Sequence, residues 1–330
     1  MRQVLFAWLC AHFLGCVDSS QTGRDYQLVF QDIEAALMSV SGTAADDVWL
    51  VGARTRDGNG AMLLHYDGSK LTRVTNTIDA DLWWVHARDK THIYCVGSGG
   101  TVATGDGKRF TVLDTPGAST VYGVWADSND EAWIVGGDPD VTPGFLWRYD
   151  GTQVMDVSDT LPLSPLPALF KVFGRSADDV WIVGMDGLVF HFNGSKWSLI
   201  EQGATERLFT VHAAGKNVVA VGGFGSGVIF EGNSNGFENV AADGTSQLYG
   251  VFMTGASTGY AVGVDGLVMR RDAQGWHEED TGQSLFFPFH AVWVDPEGSL
   301  WAVGGDVETP ALNRGMLLHR GPSLGSLPEL

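Results

Sequence analysis

The amino-acid sequence predicts an all-β chain folded as a seven-bladed β-propeller of four-stranded antiparallel blades, closed by an N-terminal strand joining the last blade. Three observations predict it. A Val-Gly pair recurs at Val51-Gly52, Val96-Gly97, Val135-Gly136, Val183-Gly184, Val221-Gly222, Val262-Gly263 and Val303-Gly304, with successive glycines 38 to 48 residues apart, which is the spacing of propeller blades. Each unit alternates with period 2, is rich in β-branched and aromatic residues, and lacks the apolar spacing of a helix. Finally, the last repeat lacks a fourth strand that the start of the chain can supply.

Composition agrees. Glycine fills 44 of 330 positions and charged residues only 18%, against usual shares of about 7% and about a quarter, so tight turns outnumber exposed helices. The net charge of −19, with no basic run to offset it, repels phosphate backbones and argues against a nucleic-acid partner.

Residues 1–15 read as a signal peptide, because Arg2 precedes an apolar run from Val4 to Leu14 that is too short to span a bilayer. The ending Phe13-Leu14-Gly15-Cys16 resembles the lipobox of bacterial lipoproteins. That resemblance implies cleavage before Cys16, its lipidation, and a membrane contact through the lipid anchor. Ordinary cleavage or an uncleaved anchor is the alternative. Residues 16–24 form the anchor cysteine and a short tether, and residues 25–330 form the propeller. Cys95, in the strand-like HIYCVG, is expected to be a small buried hydrophobe.

Within one repeat the four strands read as Leu169 to Phe173, Val180 to Gly184, Leu188 to Phe192 and Lys196 to Ile200. Met185-Asp186-Gly187 and Asn193-Gly194 supply residues that tolerate positive φ in tight turns. Three residues before each Val-Gly glycine stands Trp49, Tyr94, Trp133, Trp181, Val219, Tyr260 or Trp301, in nearly every unit a large side chain suited to the wedge between radial sheets. The final repeat reaches its third strand at Gly315 to Arg320 and ends in GPSLGSLPEL, whereas residues 23–29 match residues 194–200 in spacing. The N-terminal segment therefore completes the last sheet and hides its edge.

The phrase VWxVGxxGxxxHxxGxxW resembles the repeat-built secreted β-propellers of bacteria, grouped with neuraminidase-repeat and kelch-like propellers. The likeness covers residues 25 to 320 and includes the kelch-type Gly-Gly at Gly136-Gly137, Gly222-Gly223 and Gly304-Gly305. The sialidase Asp-box is not present, so the resemblance implies architecture and not sialidase chemistry.

Candidate sites follow from loop length. The segments 53–61, 138–143 and 306–314 are the long loops of blades one, three and seven, and rigid scaffolds carry function on such loops. Asp138 with Asp140, and Asp306 with Glu308, offer paired oxygens for calcium, with a solvated turn as the competing reading. Arg54, Arg56 and Arg314 offer bidentate partners for a carboxylate or a sulfated sugar. At the central mouth the column Met38, Trp83, Tyr122, Phe170, Phe209, Tyr249 and His290 reads first as packing between blades; Trp83, Trp84 and His290 depart from it enough to stack on a ligand. His65, His191 and His319 fall on equivalent strand-three positions, which explains them better than metal ligation does. No HExxH, GxSxG or CxxC motif occurs.

These readings point to an exported, lipid-anchored, noncatalytic propeller that binds or scaffolds a protein or glycan at the bacterial cell envelope, with no cofactor expected unless calcium. Val17 after Cys16 lacks the Asp that retains many lipoproteins at the inner membrane, so the resemblance implies an outer-membrane or cell-surface location, with periplasmic or secreted as alternatives. The rival function is an exported carbohydrate hydrolase or lyase using carboxylates at the propeller mouth.

Overall fold

The computed structural model describes residues 26–127, 131–140, 142–201, 203 and 205–328. The expected signal peptide, Cys16 and the tether lie outside the described residues. The chain forms seven four-stranded antiparallel sheets spanning residues 37–73, 82–112, 121–156, 169–199, 208–239, 248–278 and 289–320. In the first six, strands pair in chain order, with the first strand innermost. The helices among the described residues are three-residue 3-10 turns, and no helix among them is long and apolar enough to cross a membrane.

The seventh sheet is composite. Its order is Phe289–Val294, Leu300–Gly305, Gly315–Arg320 and then the N-terminal strand Tyr26–Ile33, whose Tyr26 faces Arg320 and whose Leu28 faces Leu318. Ring closure by strands from opposite ends of the chain is thus present as expected. The seam is pinned to blade six as well. Tyr26 Oη donates to Glu279 Oε1 at 2.7 Å, and Arg320 donates to Glu279 Oε1 at 2.9 Å and to Tyr260 Oη at 2.9 Å. Burial pushes the Tyr26 hydroxyl pKa up despite the opposing charge of Arg320, so it remains a donor.

The C-terminal segment adds a second latch that its loop-like composition concealed. Leu324 is buried in the core shared by blades one and seven, and Leu71 N–H donates to the Ser326 carbonyl at 3.1 Å.

The repeated Val-Gly phrase has one geometric cause. A Cβ on its glycine would lie between 1.9 and 2.4 Å from the carbonyl oxygen of the residue preceding the inner strand of its own blade; the carbonyls belong to Ala36, Asp81, Thr120, Ala168, Arg207, Gln247 and Pro288. The residue after the glycine donates its N–H to that same carbonyl in all seven blades, at 2.9 to 3.1 Å. Close approach requires a residue without a side chain, and the approach ties the second strand to the chain entering the first. Gly222→Ala, whose Cβ would meet the Arg207 carbonyl oxygen at 1.9 Å, is therefore expected to cost about 1–3 kcal/mol, read as a lowered urea midpoint with an unchanged slope.

The wedge between blades is filled as expected: Trp49, Trp181 and Trp301 are almost wholly buried. The equivalent histidines stack on them, His65 on Trp49 at 4.1 Å and His191 on Trp181 at 4.0 Å. An aspartate two residues before the tryptophan joins each pair, since Asp47 accepts from Trp49 Nε1 at 3.1 Å and contacts His65 Nε2 at 2.8 Å, and Asp179 does the same for Trp181 and His191. Burial opposes the Asp47 carboxylate, yet hydrogen bonds from His65, Thr43 and Trp49 hold its pKa below the usual carboxylate value. Cys95 is buried, which pushes its thiol pKa upward and keeps it protonated.

Candidate binding site at the propeller mouth

The inner strand of every blade carries a register shift against its second strand, and in every case the skipped residue belongs to the mouth column: Met38, Trp83, Tyr122, Phe170, Phe209, Tyr249 and His290. A bulge turns its extra side chain away from the regular alternation. Here seven bulges occur at the head of seven converging strands, and six of the side chains form a closed aromatic circuit. Trp83, Tyr122, Phe170, Phe209, Tyr249 and His290 follow one another around the axis with centroids 5.3 to 6.0 Å apart, within the range of favourable ring contacts. Met38 is buried in the core instead, and its carbonyl accepts from His290 Nδ1 at 2.5 Å.

The circuit surrounds a cavity of about 200 Å³ whose rim includes Pro139 of blade three, Val307 and Glu308 of blade seven, and Arg207 at the entry to blade five. Glu308 is exposed and accepts from Tyr249 Oη at 2.7 Å. Arg207 lies against the exposed Phe224 ring at 5.3 Å. Phe286, three residues before the inner strand of blade seven, is also exposed, at 78%.

Polar side chains behind the circuit stitch adjacent inner strands. Ser39 Oγ accepts from Val85 N–H at 3.2 Å, Thr210 Oγ1 donates to the Tyr249 carbonyl at 2.6 Å, and Lys171 Nζ donates to the Tyr122 carbonyl at 3.3 Å. Lys171 is 4% exposed and its ammonium rests on the Trp84 ring, 3.0 Å from the centroid. Desolvation pushes its pKa well below the ordinary lysine value, and among the described residues it has no ion pair. The Trp84 face and one carbonyl offset only part of that penalty.

A second tier, including His86, Trp125, Phe173, His212, Phe252 and Trp293, lines a smaller cavity of about 160 Å³ below; Lys171 and Thr210 border both spaces. Burial lowers the pKa of His290 to about 4, of His86 to about 4 and of His212 to about 3. Each ring has one nitrogen engaged by backbone: His86 donates to the Ala126 carbonyl at 3.1 Å, and His212 Nδ1 accepts from Met253 N–H at 3.1 Å.

The structure places the residues singled out from sequence as follows. Trp83, His290 and Glu308 line the mouth cavity, and Trp84 lies one tier below it. Asp138, Asp140, Asp306 and Arg314 stand on the loops beside it without lining it, while their neighbours Pro139 and Val307 do line it. Arg314 covers Phe287 at 5.0 Å. Arg54 is an exposed ion-pair partner of Asp79 at 2.5 Å, and Arg56 is exposed on the same blade-one loop. Among the described residues no three His, Cys, Asp or Glu side chains converge as a metal-holding group. Sequence reasoning did not single out Lys171 or Arg207, since neither belongs to a motif.

No family model matches the chain, and no curated protein matches its sequence. Solved structures do match its fold. The chain is similar to YCF48 bound to D1 peptide, with a TM-score of 0.68 and 14% identity over 90% of this chain and 97% of that one. It is similar to the WD40 β-propeller domain of Doa1, with a TM-score of 0.67 and 13% identity over 92% and 99% of the two chains. The extracellular domain of a hybrid two-component system of B. thetaiotaomicron gives a TM-score of 0.65 at 13% identity, over 89% of this chain and 39% of that one. At these identities the likeness establishes the propeller fold.

Proposed function

We propose that the chain is a noncatalytic binding propeller that takes an apolar segment of a protein partner into its aromatic mouth. The observation that carries this reading is the closed circuit of six rings around an open cavity of about 200 Å³. That volume falls below the roughly 300–1,000 Å³ of ordinary small-molecule pockets; it suits one inserted side chain or chain tip better than an oligosaccharide. The exposed Phe224, which lies against Arg207 at the rim, extends the apolar character outward, as a larger partner would use. The peptide carried by YCF48 is a precedent on the same fold. Among the described residues Glu308 is the single carboxylate lining the cavity, whereas glycosidic cleavage needs a pair; this favours binding over the hydrolase or lyase alternative.

Export and lipid anchoring through Cys16 complete the proposal and set the partner at the cell envelope. Metabolic fatty-acid labelling is expected to mark the wild-type chain and not Cys16→Ala; label retained in that variant rules the anchor out. For the mouth, a peptide library displayed against the mature chain is expected to yield binders that lose about tenfold or more in affinity with Phe209→Ala, in line with the truncation of a central aromatic contact. Binders indifferent to Phe209→Ala and to Trp83→Ala would move the site elsewhere.

A further inference from the structure

We infer that the mouth is built for an apolar group that carries a carboxylate, the apolar part lying within the aromatic circuit and the carboxylate reaching Lys171. The inference rests on the binding reading above and specifies its ligand chemistry.

Lys171 is a buried amine with no ionic partner among the described residues. Lys171 lines the cavity, is 4% exposed, and has for partners one carbonyl and one indole face. An ammonium has three donors, so donor capacity is left over at the back of the pocket. A lysine kept in such a place costs stability when a methionine of similar shape would fit, and functional sites are where such costs persist. A purely structural stitch between blades three and four would not need a charge, as Thr210 and Ser39 show at equivalent positions.

The surrounding charges select the sign of the ligand. An aromatic ring of this kind otherwise suits a quaternary ammonium, but Arg207 at its rim opposes a cation, and the Lys171 amine behind it gains its charge only beside an anion. Above Lys171 the other titratable groups lining the cavity, besides Arg207, are Tyr122, Tyr249, His290 and Glu308, with Glu308 already engaged by the Tyr249 hydroxyl; Asp138 and Asp140 act on Tyr122 from the blade-three loop, outside the lining. Below it stand His86 and His212, both held neutral by burial. Among the described residues no carboxylate pairs with the amine, so an incoming one meets no competitor there. Because burial holds the amine away from its charged form, a carboxylate that arrives ionised restores the ammonium and draws a proton from solvent on binding. The same chemistry is available from a free organic acid or from the carboxylate of a peptide.

The experiment compares 3-phenylpropionate with 3-phenylpropanamide by calorimetry on the full chain, in two buffers of different ionisation enthalpy. The acid is expected to bind about tenfold or more tightly than the amide, with proton uptake and with affinity falling as pH rises. N-acetyl-glycyl-phenylalanine and its C-terminal amide form the second pair: a peptide acid tighter than phenylpropionate assigns the natural source to a peptide, the reverse order to a free acid. Lys171→Met is expected to abolish the acid preference while raising Tm. Equal binding of acid and amide, binding of neither, or a preference surviving in Lys171→Met overturns the inference. If Lys171→Met does not fold, the proton uptake of the wild type decides, and its absence overturns the inference. Library binders that insert without a carboxylate would leave the binding reading standing while this inference fails.

Discussion

Deleting residues 26–33 is expected to leave no soluble chain with a cooperative thermal transition. The deletion strips Gly315–Arg320 of its outer partner and exposes a hydrogen-bonding edge that recruits other chains. It also removes Tyr26 from the network with Glu279 and Arg320, leaving an ion pair built for burial open to water on one side. A graded form of the same test is Tyr26→Ala, which empties a buried aromatic site at an expected cost of about 3–5 kcal/mol. Size-exclusion chromatography reads the first variant and urea denaturation the second. A monomeric deletion variant melting like the wild type would show that the C-terminal latch at Leu324 and Ser326 closes the ring alone.

Acid is expected to unfold the protein well before its surface carboxylates titrate. His86, His212 and His290 have folded-state pKa values of about 4, 3 and 4, lowered by burial, against about 6.5 in an unfolded chain. Between those limits the unfolded state binds more protons, so the stability these three imidazoles contribute is fully present above about pH 6.5 and declines as pH falls toward 4. Each imidazole contributes a slope of up to about 1.4 kcal/mol per pH unit, and three act together on one axis. Lys171, also lowered by burial, adds the same sign at alkaline pH. Urea midpoints recorded from pH 8 to pH 5 should fall steeply. His212→Asn, whose Oδ1 can stand where Nδ1 accepts from Met253 N–H, should flatten the curve; a curve parallel to wild type would remove His212 from this account.

The fold was legible because a propeller writes its geometry locally. Each Val-Gly marks one close backbone approach, each large residue before it fills one wedge, and the mismatch between the chain ends declares the composite sheet. The mouth was half legible. The column from Met38 to His290 could be aligned by repeat position, but its meeting as a circuit depends on bulges, and a bulge leaves no mark in residue type. Lys171 was not legible, because LFKVFG reads as an ordinary strand until seven such strands converge and remove the solvent from its amine. Asp47 and Asp179 stood in plain view in the repeated Asp-Val-Trp, yet their role needed the histidine of a different strand. The docking of Leu324 is a long-range contact of the same kind, hidden in a segment rich in Gly, Pro and Ser.

The bulge at the head of each inner strand separates what the ring displays from what keeps it standing. Trp83, Tyr122, Phe209 and Tyr249 are only half-buried, and the close backbone approaches of each blade are made by other residues. These rings can therefore be re-lettered without redrawing the blades. A collection of variants confined to these positions would sample new recognitions on an architecture that scarcely notices the exchange.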